Sequence, residues 1–146
     1  MNSSELMIRD YCNEDYNGLM ALWQATDMGS SIRGDTSEII DRTITMGGKL
    51  LVMENKNSAQ IIGSSWMTFD GRRIMLHHFG ILPEFQGLGL SKLLLKKSMG
   101  FVKEKGVQVK LEVHSSNYKA IKLYSSFGFR HLGEFMVYII RDVSIL

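Results

Sequence analysis

The chain has little of what would direct it to a membrane, a secretory route or nucleic acid. Its 146 residues include one cysteine, Cys12, so no internal disulfide can form and a reducing, cytoplasmic location is expected. No segment approaches the roughly 18 apolar residues that span a bilayer, and the first residues lack the pattern of a secretory signal. A net charge of +2, carried by scattered lysines, does not indicate nucleic-acid binding. We therefore expect one soluble domain over residues 1–146, with no membrane or nucleic-acid partner.

Two common phosphate-binding motifs are also absent. The chain contains no G-x-x-x-x-G-K-[ST] sequence, so it has no P-loop. A dinucleotide fingerprint needs a third glycine three residues after Gly89, and that position holds Lys92. The glycine-rich loop that the chain does contain therefore belongs to another class.

This loop lies in the run Phe79–Lys97, FGILPEFQGLGLSKLLLKK, which predicts a strand, a turn, a glycine-rich loop and an amphipathic helix. Gly87 and Gly89 remove side chains where the backbone must come close to a ligand. The helix that follows begins with free N–H groups at the positive end of its dipole, which suit a phosphate. The run predicts a phosphorylated cofactor bound by six consecutive residues: Gln86, Gly87, Leu88, Gly89, Leu90 and Ser91.

A second block, VKLEVHSSNYKAIKLYSSFGF at Val109–Phe129, follows at a suitable distance. Together with the loop and its ILPEF lead-in, it resembles the GNAT superfamily of N-acetyltransferases, closest in motif to the ribosomal-protein and small-amine branches. The resemblance covers most of the chain and extends more weakly to the strand around Met7–Asp10. Ser91 departs from the glycine or alanine usual at that place, but a serine still fits beside a phosphate.

The resemblance implies an α/β fold, with a central mixed β-sheet whose parallel strands splay apart and helices on both faces. It implies an enzyme that transfers acetyl from acetyl-CoA directly to a primary amine on a small molecule, an amino acid or a peptide or protein N-terminus, releasing CoA. Phe79, Gly80 and Ile81 would pair with the pantetheine arm, which Asn117 would also contact. The protein would act as a monomer or homodimer. A non-catalytic acetyl-CoA-binding or regulatory module of the same fold is the alternative.

Acetyl transfer needs a base for the amine and benefits from an acid for the departing thiolate. Tyr124 follows Asn117 by nearly two helical turns, so both face one side, and the resemblance implies that Tyr124 protonates the sulfur and also contacts the cofactor. Glu112 alternates with its apolar neighbours in a strand, and the resemblance makes it one candidate base. His77 is the other, and a chain of water molecules stays open as well.

His77 and His78 are not expected to share a metal ion, because neighbouring residues of a strand point to opposite faces. No cysteine or carboxylate is spaced to help them, so no metal is predicted. The resemblance implies that the acceptor is held by the first two helices, their loop and the hairpin between the last strands, where a carboxylate would attract an ammonium and Arg33 a carboxylate. The candidates are Trp23, Asp27, Arg33 and Trp66, with Asp35 and Tyr138 beside them. The acceptor and the acyl length stay open.

Periodicity, caps and turn residues also predict the elements. The predicted strands are Leu6–Arg9, Lys49–Glu54, Gln60–Phe69, Ile74–Leu82, Val107–His114 and a last one around Phe135–Ile140. The predicted helices are Glu14–Ala25, Thr36–Met46, one from the glycine loop to Lys105, and Asn117–Phe127, with a loop at Thr26–Asp35.

Overall fold

A computed structural model describes residues 5–29 and 33–146 of the chain. Contacts within the chain divide it into two compact units, Met1–Glu112 and Val113–Leu146, and a single domain over 1–146 stays a prediction. Three residues of the predicted loop Thr26–Asp35, residues 30–32, lie outside the described part. No helix within the described ranges is long and apolar enough to cross a membrane.

The first unit is built on a five-stranded sheet in the order β1-β2-β3-β4-β5. The strands are β1 Leu6–Asp10, β2 Lys49–Asn55, β3 Gln60–Phe69, β4 Arg73–Ile81 and β5 Gln108–Leu111. The first four pair antiparallel in sequence order, whereas β4 and β5 are parallel. Parallel neighbours need a crossover, and here it is the helix between them. The predicted mixed α/β sheet is confirmed.

Helices cover both faces of this sheet: α1 Tyr16–Thr26, α2 Ser37–Thr45 and α3 Leu90–Lys105. Two neighbouring residues of β3 show the division, because side chains along a strand alternate between faces. Ser64 accepts a hydrogen bond from Trp23 of α1, at 2.8 Å, whereas Ser65 lies 2.7 Å from Ser98 of α3. All four side chains are completely buried, so the core lies on both sides of β3.

The ends of these helices follow from their sequence. Thr36 caps α2 by accepting from the Ile39 backbone N–H at 3.3 Å, which satisfies one unpaired donor of the first turn. Gly106 ends α3 in the left-handed conformation, with φ 73°, where a glycine has no Cβ to clash. Both boundaries match the sequence prediction.

The second unit contains α4, Tyr118–Ser126, which Asn117 caps by accepting from the Ala120 N–H at 3.3 Å. The sequence placed a last strand around Phe135–Ile140, and this prediction is wrong: the segment forms no strand and its side chains are exposed. A strand is held by hydrogen bonds to a neighbour, and an apolar run alone does not supply one. β5 is likewise shorter than the predicted Val107–His114.

Candidate active site

The first feature of the candidate site is the point at which β4 and β5 part. Their parallel pairing runs from Arg73 opposite Gln108 to Leu76 opposite Leu111, and there it stops. β4 continues for five more residues, to Ile81, along which β5 does not pair with it. One edge of this part of β4 is therefore turned toward an opening in the sheet, where an extended ligand can pair as an added strand.

The glycine-rich loop lies at the end of β4 and leads into α3. Gly87 and Gly89 both have φ 79°, a conformation that favours glycine, and a Cβ built on either would meet nothing within 4 Å. The Leu93 N–H donates to Gly89 O at 3.4 Å, while the three N–H groups before it open α3 without an intrahelical acceptor. An exposed loop with this free space and these donors fits a diphosphate such as that of acetyl-CoA.

A strained backbone turn at His78 of β4 lies directly before the unpaired strand edge at residues 79–81. His78 has φ 45°, in the left-handed region that residues with a Cβ seldom adopt, and the pairing of β3 with β4 shifts between Ser64 and Trp66. The Ser64 hydroxyl donates to His78 O at 2.6 Å, and Trp23 Nε1 donates to the same hydroxyl at 2.8 Å. A buried chain of hydrogen bonds thus holds the strained residue in place.

The turn brings two neighbouring imidazoles together. Nδ1 of His77 lies 2.6 Å from Nδ1 of His78, and Nε2 of His77 lies 3.3 Å from Thr68 Oγ1. The expectation that the two side chains point to opposite faces is therefore wrong, because the positive φ of His78 breaks the alternation of the strand. No group of three or more potential ligands for a metal ion occurs among the residues that the structure describes.

A buried carboxylate faces the second imidazole. Asp35, at 5% exposure, places Oδ2 3.2 Å from Nε2 of His78. Burial lowers the pKa of His78, and the Asp35 charge partly opposes this effect. Burial, together with repulsion from a charged His78, lowers the pKa of His77 to about 3. Both imidazoles are consequently neutral at physiological pH, with one unprotonated ring nitrogen each.

Two indoles form the wall behind the histidines. Trp23 and Trp66 are stacked at 5.4 Å between ring centroids, and Trp23 lies 4.4 Å from the ring of His78. Both are buried, at 0% and 2% exposure, and Trp66 Nε1 donates to Thr43 at 3.0 Å. Two residues predicted to contact the acceptor thus belong to the core beneath the histidines.

The remaining candidates for acceptor and base are solvent-exposed or paired. Asp27 ends α1 in a left-handed conformation, and its side chain and that of Arg33 are exposed. Asp35, which the sequence offered as an ammonium site, is buried against His78. Glu112 is exposed directly after β5, at the point where the two parallel strands part.

The second unit carries the candidate acid and one candidate cofactor contact. Tyr124 is a buried residue of α4 and packs edge-on against Phe129, with 5.7 Å between ring centroids. Burial raises the pKa of its phenol to about 12, so the hydroxyl keeps its proton at neutral pH. Asn117 serves as the helix cap, as its residue type suggested. Tyr138, named with the acceptor residues, is exposed.

Sequence reasoning missed that Asp35, His78 and Thr68 join His77 in one cluster. The only local sign of this cluster was the pair of consecutive histidines, and the alternation of side chains along a strand predicted that the two would lie apart. The position of Asp35 depends on how the chain returns before α2, which no local pattern shows. The bulge at His78 and Phe79, opposite Ser65 of β3, likewise follows from the register of β3 and β4.

Comparison with known proteins agrees with this geometry. Residues 16–129 match the acetyltransferase (GNAT) family. An acetyltransferase from Streptococcus agalactiae 2603 superposes with a TM-score of 0.78 at 19% identity, covering 94% of this chain and 93% of that one. The ribosomal-protein-S18-alanine N-acetyltransferase of Escherichia coli gives 0.71 at 19%, covering 86% and 77%. Glucosamine-6-phosphate N-acetyltransferase of Arabidopsis thaliana gives 0.72 at 18%, covering 92% and 97%.

The parted parallel strands and the glycine loop at the start of a helix define an acyltransferase fold of the mixed α/β class. The chain belongs to the GNAT family of acetyltransferases. The resemblance found in the loop and in the block around Tyr124 is therefore confirmed, as is the assignment as an enzyme.

Proposed function

We propose that this protein transfers the acetyl group of acetyl-CoA to a primary amine, with CoA as the second product. The observation that carries the proposal is the end of β4: its pairing with β5 stops at Leu76, and the open glycine loop follows it. A strand edge and a set of helix N–H groups then lie on one continuous stretch of chain. This arrangement suits a ligand with an extended amide arm and a diphosphate.

The cofactor contacts follow from this placement. Phe79, Gly80 and Ile81 form the stretch of β4 beyond its pairing with β5, where the pantetheine amides would bind. The backbone from Gln86 to Ser91 would hold the diphosphate, and the Gln86 side chain braces the loop by donating to Ile81 O at 3.0 Å. Asn117 would contact the same arm. When bound, acetyl-CoA supplies an activated thioester carbonyl that the amine attacks.

For the base we favour His77 over Glu112. Both lie where β4 and β5 part, but His77 is held by contacts on both ring nitrogens, whereas Glu112 is exposed. A neutral imidazole can take the proton that an ammonium must lose before it attacks. Tyr124, whose phenol stays protonated, is assigned as the acid that returns a proton to the CoA thiolate.

The acceptor is assigned no further than a primary amine. The two enzymes with named substrates act on a ribosomal-protein alanine and on glucosamine-6-phosphate, yet both share this fold. Asp27 and Arg33 remain the exposed charges from which an acceptor would be recognised, as a small molecule or as a peptide N-terminus. We propose a reducing compartment from the lone, exposed Cys12, and a monomer or homodimer as the acting form.

The loop assignment is tested by Gly89→Glu, which places a charge and bulk against the diphosphate. Binding only to the native state stabilises it by about 2.7 kcal/mol at a hundredfold excess of ligand over Kd. We expect acetyl-CoA and CoA, but not ATP or NAD, to raise the melting temperature of the unmodified chain. Gly89→Glu should abolish this shift.

Gly106→Glu is the matched control, because Gly106 has φ 73°, lies at the other end of α3 and also has open space around its Cβ position. It carries the same backbone strain and the same added charge away from the loop. We expect it to lower the starting melting temperature yet keep the shift with CoA. An equal loss of the shift in both variants would contradict the loop assignment.

A further inference from the structure

A continuous chain of polar contacts runs inward from the proposed base. It begins at Thr68 Oγ1, 3.3 Å from Nε2 of His77, and continues through the 2.6 Å contact between the two Nδ1 atoms. It ends at the 3.2 Å contact between Nε2 of His78 and Oδ2 of Asp35. Both ring nitrogens of His77 and Nδ1 of His78 lie within hydrogen-bonding distance of a partner, whereas Nε2 of His78 makes a charge contact with Asp35 that is not aligned as a hydrogen bond.

These contacts allow one assignment of the protons. The Asp35 carboxylate lies 3.2 Å from Nε2 of His78 without an aligned hydrogen bond, and its negative charge favours the tautomer with the proton on that nitrogen. Nδ1 of a neutral His78 is then bare and accepts from Nδ1–H of His77. Nε2 of a neutral His77 is then bare as well, facing the Thr68 hydroxyl. The unprotonated nitrogen lies at the Thr68 end of this chain of contacts.

We propose that Asp35 and His78 are positioning residues of a proton relay, through which the charge taken up by His77 moves to His78 beside Asp35. The proposal rests on His77 as the base of the proposed acetyl transfer. The acceptor ammonium gives its proton to Nε2 of His77, and the amine nitrogen keeps the electron pair. The Nδ1 proton of His77 then passes to Nδ1 of His78. One positive charge results, on His78, and solvent takes the proton after turnover.

The surroundings of His78 stabilise that charge. The Asp35 carboxylate lies 3.2 Å from Nε2 of His78, and the Trp23 ring lies 4.4 Å from the His78 ring, within range for a cation–π contact. Arg33 acts in the opposite direction on His78, and each imidazole disfavours charge on the other, so the pair holds one positive charge at most. The negative charge of Asp35 offsets the cost of burying this single positive charge.

Two structural details show how closely His78 and Asp35 are held. A strained φ of 45° at His78 is held by Ser64, and strain of this kind is concentrated at functional sites. Gly29 packs against the ion pair: a methyl group there would lie 2.6 Å from Nε2 of His78, and closer still to Oδ2 of Asp35. The contact therefore depends on the absence of a side chain at position 29.

The test compares Asp35→Asn with Asp41→Asn, an exposed aspartate of α2 that receives the same substitution. We expect Asp35→Asn to lower kcat/KM for the acceptor at least about tenfold, within the usual range for general-base catalysis. The acidic limb of its pH profile should move to lower pH, because the anion that favours the protonated pair is gone. Gly29→Ala, which keeps both charges but separates them, should shift the limb in the same direction.

Two outcomes would overturn the relay: an acidic limb that does not move in Asp35→Asn, or the same shift in Asp41→Asn. A second readout does not depend on activity. Imidazole ¹⁵N chemical shifts of the full chain should show the Nδ1–H tautomer for His77 and the Nε2–H tautomer for His78. The reverse tautomers would contradict the chain of contacts.

His77→Gln separates failure of the relay from failure of the proposed function. If His77→Gln loses activity while Asp35→Asn keeps the original pH limb, His77 remains the base and only the relay is wrong. If His77→Gln keeps full activity, His77 is not the base and the relay falls with it. CoA binding by the unmodified chain, measured separately, shows whether the acetyltransferase assignment itself stands.

Discussion

At the scale of single residues, the proposed chemistry depends on one group that is unprotonated at neutral pH and one that is protonated. Burial lowers the pKa of His77 to about 3 and raises that of Tyr124 to about 12. The same cause acts in opposite directions, because the charged form is a cation in one case and an anion in the other. At neutral pH the imidazole is therefore bare at one nitrogen while the phenol keeps its hydrogen.

Tyr124→Phe tests the role of the phenol, since it removes the hydroxyl and keeps the ring that packs on Phe129. We expect kcat to fall at least about tenfold, because the thiolate loses its acid, while binding of acetyl-CoA is retained. Steady-state kinetics with thiol detection gives both quantities. Tyr118→Phe, on the same helix at 77% exposure, is the control. Equal activity in both variants would remove Tyr124 from the mechanism.

Sequence motifs predicted the candidate residues more readily than their surroundings. The glycine loop and His77 follow from local patterns, because a loop that begins a helix and the position of a residue in a strand are local properties. The pairing of His78 with Asp35 is not local: it joins residues 43 positions apart and depends on a bulge in β4. The burial of Trp23 and Trp66 likewise depends on the packing of α1 against the sheet, which no local pattern shows.

At the scale of elements, the bulge between β3 and β4 is what places the histidines. It sets the strained conformation of His78, and Ser64 holds it by donating to the His78 carbonyl. The Trp23 indole anchors Ser64 in turn, so α1 is tied to the bulge through a buried hydrogen bond. A side chain outside the reaction thus determines the geometry of two side chains proposed to take part in it.

Ser64→Ala and Ser65→Ala separate this role from ordinary core packing. Both serines are fully buried and hydrogen-bonded, so we expect each change to lower the free energy of unfolding by about 1–3 kcal/mol. Only Ser64→Ala should also reduce acetyl transfer and disturb the tautomers of the histidines. Urea unfolding and turnover, measured on both variants, would decide. Equal turnover in the two would show that the bulge is not needed for catalysis.

A strand could be predicted where both its residue pattern and the strand it pairs with are close in sequence. β3 was predicted with its bounds unchanged, because Gln60–Phe69 is followed by the turn at Asp70 and Gly71 that pairs it with β4. The final segment around Phe135–Ile140 has the residue types of a strand but no neighbouring ladder in the structure. Strand-forming residues allow a segment to pair, but a strand forms only where a second strand lies beside it.

At the scale of the whole molecule, alternating strands and helices predicted the fold class, and the family match confirmed it. The antiparallel strands come first, and one crossover through α3 adds the parallel strand. The opening of the sheet follows from this order, because β5 is short and pairs only with the first part of β4. The position proposed for the cofactor therefore follows from the short length of β5 as well as from the glycine-rich loop.

The histidine cluster also makes the stability of the whole molecule depend on pH. The pKa of His77 is lowered to about 3 in the folded state, below its unfolded value of 6.5. Between these two values the unfolded chain binds a proton that the folded chain does not. Since stability rises with pH wherever the unfolded state binds more protons, this histidine stabilises the fold fully above about pH 6.5. Its contribution is lost as pH falls from there toward 3.

We therefore expect the free energy of unfolding to decrease on acidification, with His77 contributing up to about 1.4 kcal/mol per pH unit in that window. Urea unfolding at a series of pH values between 7 and 4 measures the slope, because most of this range lies between the two pKa values. His77→Gln should flatten it, because glutamine does not titrate. His131→Gln, at an exposed histidine, should leave it unchanged. His78, whose pKa burial also lowers, leaves part of the slope in place, so only a slope in His77→Gln equal to that of the unmodified chain would mean that His77 is not buried as a neutral group.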